Sequence, residues 1–289
     1  MPTLDTLKSF VNTWECDEND HLNVQFYFAK FEESDRQFRF QTGFSEAQAG
    51  PRRVRHVRYH GELYAGALVS VTSHATFDGP HLLSVVHVMR DASTGRIAAT
   101  ALDGYAPSER ALTDLRKRLQ GAAEPMPEQA AACSFETSPA ALDIKEADLI
   151  AAGAILVNRA TVLPRDCGLD SNAEDRFLLA CFTDGAPHLW EHAKLTRSWL
   201  DKNDYGRVAL EMKLTRGLPA RAGTTLHVIS GLTSASQKTF TFRHHMFDGA
   251  AGRVIATLDV TAMIMDLETR NPVPLPEEAR NEIAARSMI

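Results

Sequence analysis

Two stretches of the sequence, HVMRDASTGRIAAT at residues 87–100 and HHMFDGAAGRVIAT at residues 244–257, decide the fold. Their His, Met, Asp, Gly, Arg, Ala and Thr positions coincide without a gap at an offset of 157 residues (244 − 87). The same offset superposes three upstream pairs, which are Gly66 on Gly223, Val71 on Val228 and Ser73 on Ser230. Agreement at this many positions indicates two copies of one structural unit rather than coincidence.

The repeated stretches are predicted to form antiparallel β-strands joined by tight turns. β-branched residues are frequent before the first of these turns, at residues 68–73 and 83–88. The turns themselves, residues 91–95 and 248–252, each begin with Asp and end with Gly. Asp can bond to its own backbone and Gly accepts a positive φ, so both residue types favour such turns.

Each copy also has a predicted long helix ahead of its strands. Val24–Thr42 contains neither Gly nor Pro, is followed by Gly43, and repeats Phe at three- and seven-residue steps, which is typical of an amphipathic helix. The counterpart, at an offset of 151 residues, lies within residues 172–190, where Gly185 and Pro187 predict a kink or a shorter helix. A long helix that buries its apolar stripe against an antiparallel sheet gives an α+β layer arrangement.

Composition divides the chain into three segments. Residues 1–107 form the predicted N-terminal unit, and residues 154–289 form the predicted C-terminal unit. Residues 108–153 between them are charged, small and Pro-containing, so we expect a linker with short helices on the surface there.

Composition and charge exclude several classes of protein. With 44% hydrophobic and 24% charged residues, the 289-residue chain is typical of a soluble globular protein. Its formal charge of −6 indicates no extended basic surface of the kind that binds nucleic acid. No apolar run approaches the ~20 residues that cross a bilayer, and the N-terminus lacks the apolar core of a signal peptide. The four cysteines lack CxxC spacing, so we expect free thiols and a cytoplasmic protein.

The loop before the first helix, WECDENDHLN at residues 14–23, contains the side chains best suited to catalysis. A helix N-terminus offers unpaired N–H groups and a partial positive charge, which suit a developing oxyanion. A carboxylate beside it can act as a general base or attack a carbonyl carbon. Asn23 or Asp20 could instead cap the helix, and at Asn23 the two roles can coexist.

The stretch WECDENDHLNVQFYFAKFEESDRQF, residues 14–38, resembles the signature of hotdog-fold acyl-CoA thioesterases of the 4-hydroxybenzoyl-CoA thioesterase type. In that family, D-x-x-G-H-x-N precedes an aromatic-rich helix, and two copies in one chain resemble the tandem, or double-hotdog, thioesterases. The resemblance implies an α+β fold of two hotdog units, each a long helix wrapped by an antiparallel sheet, fused as a pseudo-dimer. It also implies hydrolysis of an acyl thioester, with acyl-CoA as the favoured substrate and no permanent cofactor.

By the same resemblance, Asp17 matches the catalytic carboxylate, as base or nucleophile, and His21 and Asn23 match positions near the thioester carbonyl. Asp20 replaces the Gly that precedes the His in the family pattern. A second carboxylate would raise the pKa of its neighbour or act as the base itself, and Asp20 is also a candidate for substrate binding. Asp17 is therefore the favoured catalytic residue, and Asp20 is the alternative.

The corresponding loop of the second copy departs from the family pattern. At the offset of 151, its three family positions hold Gly168, Asn172 and Glu174, so the His is missing. Asp166 or Asp170 could still reach the equivalent place, and Asp170 and Asn172 are taken as candidate substrate-binding residues. Because sites in the family lie at the junction of two units, we expect the second copy to complete the pseudo-dimer rather than to have an independent site.

The histidine pairs are not expected to form a metal site. His244 and His245 are adjacent in a predicted strand, so their rings point to opposite faces. His188 and His192 lack the HExxH pattern of zinc enzymes. The sequence therefore predicts no bound metal.

Two alternative functions stay open, and one assembly is predicted. Residues 17–21, DENDH, match imperfectly the D-x-N-P-x-H loop of hotdog hydratases and dehydratases, because the Pro is missing and the loop is one residue short. The altered second loop leaves a non-catalytic acyl-CoA-binding protein as a further alternative. Since single hotdog units commonly pair, we predict a homodimer, with neither nucleic acid nor membrane as a partner.

Overall fold

The computed structural model describes residues 3–288 and contains two compact units, Met1–Pro139 and Ala140–Ile289. The elements of the first unit are β1 (Leu4–Phe10), α1 (Val24–Thr42), α2 (Glu46–Ala49), β2 (Val54–Tyr59), β3 (Leu68–Thr76), β4 (Leu83–Asp91), β5 (Ile97–Tyr105) and α3 (Glu109–Arg118). Those of the second unit are α4 (Glu146–Ala151), β6 (Ile155–Thr161), α5 (Asp175–His192), α6 (Arg197–Asn203), β7 (Tyr205–Arg216), β8 (Thr225–Ala235), β9 (Thr239–Asp248), β10 (Val254–Asp266), β11 (Pro272–Val273) and α7 (Glu277–Ala285). The division between the units thus falls within residues 108–153, which include α3 and α4.

In the first unit, α1 lies on a five-stranded sheet. The strand order is β1-β3-β4-β5-β2, and every neighbouring pair is antiparallel. Phe28, Phe31 and Phe38 of α1 are fully buried, as their spacing predicts. Gly43 ends the helix with a φ of +67°, and its N–H donates to the Arg39 carbonyl, which confirms the predicted end of the helix.

The second unit repeats this architecture around α5. Its sheet has the order β7-β10-β9-β8-β6, again antiparallel throughout, and β11 pairs with β10. Leu178, Phe182 and Leu189 of α5 are buried. Each unit is therefore a long helix wrapped by an antiparallel sheet, so the predicted α+β hotdog class is confirmed.

Helix α5 runs through Gly185 and Pro187 without a break, so neither residue ends the helix. It spans 18 residues against the 19 of α1. A Cβ atom on Gly185 would lie 2.7 Å from Val157 Cγ2, so glycine allows α5 to approach β6 closely. Pro187 is exposed, while Leu189 and Trp190 of the following turn are buried. This packing stabilises the helix beyond the position at which sequence propensity alone would end it.

Two further expectations concern thiols and membranes. All four cysteines are free thiols, as predicted, and Cys181 is the buried one. Within residues 3–288, no helix combines the length and the apolar character that crossing a bilayer requires.

Candidate active site

The loop between β1 and α1 is closed by its own backbone hydrogen bonds. Cys16 and Leu22 face each other as an isolated antiparallel bridge. Within it, the Asp17 N–H donates to the His21 carbonyl at 2.8 Å. These bonds join residues only four to six positions apart, so the local sequence is sufficient to bring the side chains of this loop together at the N-terminus of α1.

Asp17 is half-buried, and its carboxylate is held by the loop. Asp17 Oδ1 accepts from the backbone N–H groups of Asn19 at 2.9 Å and His21 at 3.3 Å. Burial raises the pKa of Asp17 and the charge of Glu18 raises it further, whereas the two N–H donors oppose this shift. A carboxylate whose pKa lies closer to neutrality is a stronger general base while it is still ionised at pH 7.

Asp20 occupies a backbone position that usually requires glycine. Its φ is +60°, in the left-handed region, and its N–H donates to the Asp17 carbonyl at 3.1 Å. Asp is one of the few residues with a side chain that adopts this conformation readily. The backbone geometry therefore explains the Gly of the family pattern, and Asp20 itself is exposed.

His21 is buried next to two residues that the sequence did not single out. Its Nε2 atom lies 3.5 Å from Glu62 Oε2, and its ring meets that of Tyr64 edge-on, with centroids 4.9 Å apart. The Tyr64 hydroxyl donates to the same Glu62 oxygen at 2.8 Å. A carboxylate beside a histidine can fix the orientation of the ring. Only the pairing of the loop with residues 62–64, such as the bridge between His21 and Tyr64, reveals this group.

Asn23 is the N-cap of α1. Its side-chain oxygen accepts from the Gln25 N–H at 3.1 Å, and its backbone is extended. The predicted capping of α1 by Asn23 is therefore confirmed, and Asp20 does not cap this helix. The cap fixes the first turn of α1 directly beside Asp17 and His21.

A buried ion pair anchors the start of the loop. Lys30 Nζ lies 3.1 Å from Glu15 Oε1 and donates to the Phe10 carbonyl at 3.2 Å. Glu15 Oε2 accepts from the Asn12 N–H at 2.8 Å. Lys30 thereby ties α1 to the end of β1 and to the turn that precedes Asp17.

The second unit has the same loop backbone without these side chains. Cys167 and Ala173 form the equivalent bridge, and the Gly168 N–H donates to the Asn172 carbonyl at 2.9 Å. Ser171 has a φ of +62°, like Asp20 at the offset of 151. Gly168 thus occupies the position of Asp17, and Asn172 occupies that of His21.

The two aspartates of this second loop do not replace Asp17. Asp166 Oδ2 accepts from the Leu163 N–H at 2.9 Å, which is the role of Glu15 in the first unit. Asp170 Oδ1 and Oδ2 accept from the backbone N–H and side-chain amide of Asn172 at 3.0 and 2.9 Å. Although burial alone would raise the pKa of Asp170, these bonds lower it. Both carboxylates therefore support their own loop.

Comparisons with known proteins match the second unit to a sequence family and the chain as a whole to known structures of similar fold. The family model of the thioesterase-like superfamily matches residues 162–283. No curated protein is significantly similar in sequence. A protein described as an oleoyl thioesterase from Lactobacillus plantarum has a similar structure, with a TM-score of 0.63, 12% identity, and coverage of 95% of this chain and 97% of its own. The 12:0-ACP thioesterase from Umbellularia californica is also similar, with a TM-score of 0.61, 11% identity, and coverage of 91% and 94%. At this identity, the likeness is one of fold.

Proposed function

We propose that this chain, a fusion of two hotdog units whose second unit belongs to the thioesterase-like superfamily, hydrolyses an acyl thioester at the loop of its first unit. The observation that supports this site is the contrast between the two loops. They share one backbone, but only the first has a half-buried carboxylate, Asp17, next to a histidine at a helix N-terminus. The residues that approach His21 are also specific to the first unit, since the positions of Glu62 and Tyr64 hold Pro219 and Arg221 at the offset of 157.

The geometry supports a general-base mechanism. Asp17 removes a proton from a water molecule while the water oxygen attacks the carbonyl carbon of the thioester. The first turn of α1 stabilises the oxyanion that develops, and His21, oriented by Glu62, hydrogen-bonds to the same oxygen. The C–S bond then breaks, and the leaving thiolate takes the proton from Asp17. Direct attack by Asp17 on the carbonyl is the alternative first step, and it forms an anhydride that water hydrolyses.

Coenzyme A and acyl carrier protein are both reasonable carriers of the acyl group. Two chains of similar fold are named as acyl-ACP thioesterases, from Umbellularia californica and Bacteroides thetaiotaomicron. Both carriers present the same phosphopantetheine thioester to an active site. We therefore propose the acyl thioester as the substrate class and acyl-CoA as the first substrate to test.

Incubation with a panel of short, branched, aromatic and long acyl-CoAs, and with acyl carrier protein loaded with the same groups, should release free thiol. A thiol-reactive dye measures the product continuously. Loss of enoyl absorbance from a 2-enoyl-CoA without release of thiol would instead identify a hydratase. Tight binding of every acyl-CoA without turnover would identify a binding protein, and either outcome would contradict the proposal.

The pH dependence of hydrolysis should report the environment of Asp17. The base acts ionised, so kcat/KM is expected to fall as the pH drops through the pKa of Asp17, which lies above that of an ordinary aspartate. Glu18→Gln removes a negative charge that raises this pKa, so the acidic limb should move to lower pH. Glu109→Gln, at the exposed start of α3, is the matched control and should leave the limb in place. An acidic limb that Glu18→Gln does not move would argue against Asp17 as the base.

Two expectations from the sequence stay predictions. The cytoplasmic location rests on the sequence alone, although the four free thiols are compatible with a reducing compartment. The homodimer likewise rests on the general tendency of hotdog units to pair.

A further inference from the structure

Three ionisable side chains meet in the interior of the first unit, between α1 and its sheet. Asp35 lies on the same face of α1 as Phe31 and Phe38 and is 6% exposed, while His87 of β4 and Asp103 of β5 are fully buried. One ligand atom from each residue lies within 4.8 Å of the others. Charged groups are rarely buried this deeply unless they are paired or bind a metal.

Two atoms of this cluster lack the partner that burial normally demands. Within residues 3–288, Asp35 Oδ1 and His87 Nε2 have no hydrogen-bond partner. The orientation of the imidazole is fixed from its other side, where His87 Nδ1 lies 2.7 Å from Ser73 Oγ, which in turn lies 2.6 Å from Thr6 Oγ1. The unused nitrogen therefore faces the two carboxylates.

The separation of His87 and Asp103 is longer than a charge-assisted hydrogen bond and is compatible with two ligands of one metal ion. His87 Nε2 lies 3.5 Å from Asp103 Oδ2, whereas a charge-assisted N–H···O bond measures about 2.7–2.9 Å. In a tetrahedral zinc site with metal–ligand distances of about 2.0–2.2 Å, neighbouring ligands lie about 3.3–3.6 Å apart. We propose that Asp35, His87 and Asp103 bind one divalent transition-metal ion. Zn²⁺ is the first ion to test, because it accepts both imidazole and carboxylate ligands.

The surrounding residues hold the two carboxylates as an outer shell would. Arg55 binds Asp103 through two parallel bonds of 2.8 and 2.7 Å, and Arg39 Nε donates to Asp35 Oδ2 at 2.8 Å. Arg52 Nη1 also lies 3.4 Å from Asp103 Oδ2, so two guanidinium groups contact this carboxylate and favour its ionised form, which is the form that binds a metal. Since these guanidinium groups also repel a cation, we expect weaker binding than at a zinc site without neighbouring positive charges.

The second unit shows that the fold does not need the two carboxylates. It keeps the histidine and the serine, since His244 Nδ1 is hydrogen-bonded to Ser230 Oγ and the His244 ring stacks on Phe182. At the offsets of 151 and 157, however, Ala186 and Val260 occupy the positions of the two aspartates. The acids are therefore a specific addition to the first unit rather than part of the common core.

The experiment is to titrate the full chain, freed of metal with EDTA, with Zn²⁺ and with Co²⁺. We expect one Zn²⁺ per chain by elemental analysis after gel filtration, and a visible Co²⁺ spectrum of tetrahedral intensity. Asp35→Ala, which installs the residue of the second unit, should abolish both signals, while Asp184→Ala, an exposed helical aspartate of α5, should keep them. Circular dichroism verifies folding, and Asp35→Asn, which preserves the shape of the side chain, replaces any variant that does not fold.

Absence of a bound ion in the unaltered chain would overturn this proposal, and so would equal binding by Asp35→Ala and the control. An octahedral Co²⁺ spectrum that Asp35→Ala does not change would likewise assign the metal to surface groups and overturn it. These measurements do not involve hydrolysis, so they test the metal site independently of the proposed thioesterase activity.

Discussion

Asp17→Asn should lower kcat for a good acyl-CoA substrate by about 100-fold or more, while the protein stays folded. The amide is nearly the same size as the carboxylate, and its oxygen can still accept from the N–H groups of Asn19 and His21. It can neither remove a proton from water nor attack a carbonyl carbon. Thiol release under saturating substrate measures the effect, and circular dichroism verifies the fold.

Asp91→Asn is the matched control for this substitution. Asp91 Oδ1 accepts from the Ser93 N–H at 2.8 Å, so it makes the same kind of turn in the same unit, but at a different loop. Its activity should equal that of the unaltered chain. Full activity in Asp17→Asn would exclude Asp17 as base and nucleophile and would move the role to Asp20 or to the second unit.

Breaking the buried pair of Arg55 and Asp103 should have the largest effect on stability. Both side chains are fully buried, so Arg55→Met or Asp103→Val alone leaves one charge without its main partner and should lower the free energy of unfolding by about 3–5 kcal/mol. The double substitution installs the residues that the second unit has at these register positions, Met212 and Val260, which also face each other. We expect it to recover at least half of the loss.

A double-mutant cycle in EDTA tests this expectation by urea unfolding, without a contribution from any bound metal. The exposed pair of Arg197 and Asp201, whose closest atoms are 2.6 Å apart, is the control. Its disruption by Arg197→Met should cost less than about 1 kcal/mol, because solvent screens such pairs. If the losses from Arg55→Met and Asp103→Val simply add in the double variant, the buried pair does not act as a unit.

The local sequence was sufficient wherever the decisive contacts are local. The bonds that shape residues 16–22 join positions at most six apart, so the spacing of Asp17, His21 and Asn23 predicted their common location. The repeat likewise predicted the two units, because a strand pattern and its turns recur at a constant offset. Neither inference needed the packing of distant elements.

The sequence patterns did not predict the contacts between elements that are distant in the chain. Glu62 approaches His21 only because the connection between β2 and β3, in which Glu62 lies, pairs with the loop before α1. Asp103 meets Asp35 only because α1 packs on the sheet that contains β5. The helical spacing places Asp35 on the face of Phe31 and Phe38, but it does not indicate which strand residues that face meets.

The amino-acid sequence by itself determined the repeat, the class of each unit, the long helices and the composition of the loop at the start of α1. The tertiary structure alone decided that α5 continues through Pro187, that Glu62 lies beside His21, and that three buried ionisable groups converge in the first unit. The reason is physical. Hydrogen bonds and propensities act between near neighbours in the chain, whereas burial, close approach and charge pairing depend on which surfaces folding brings together.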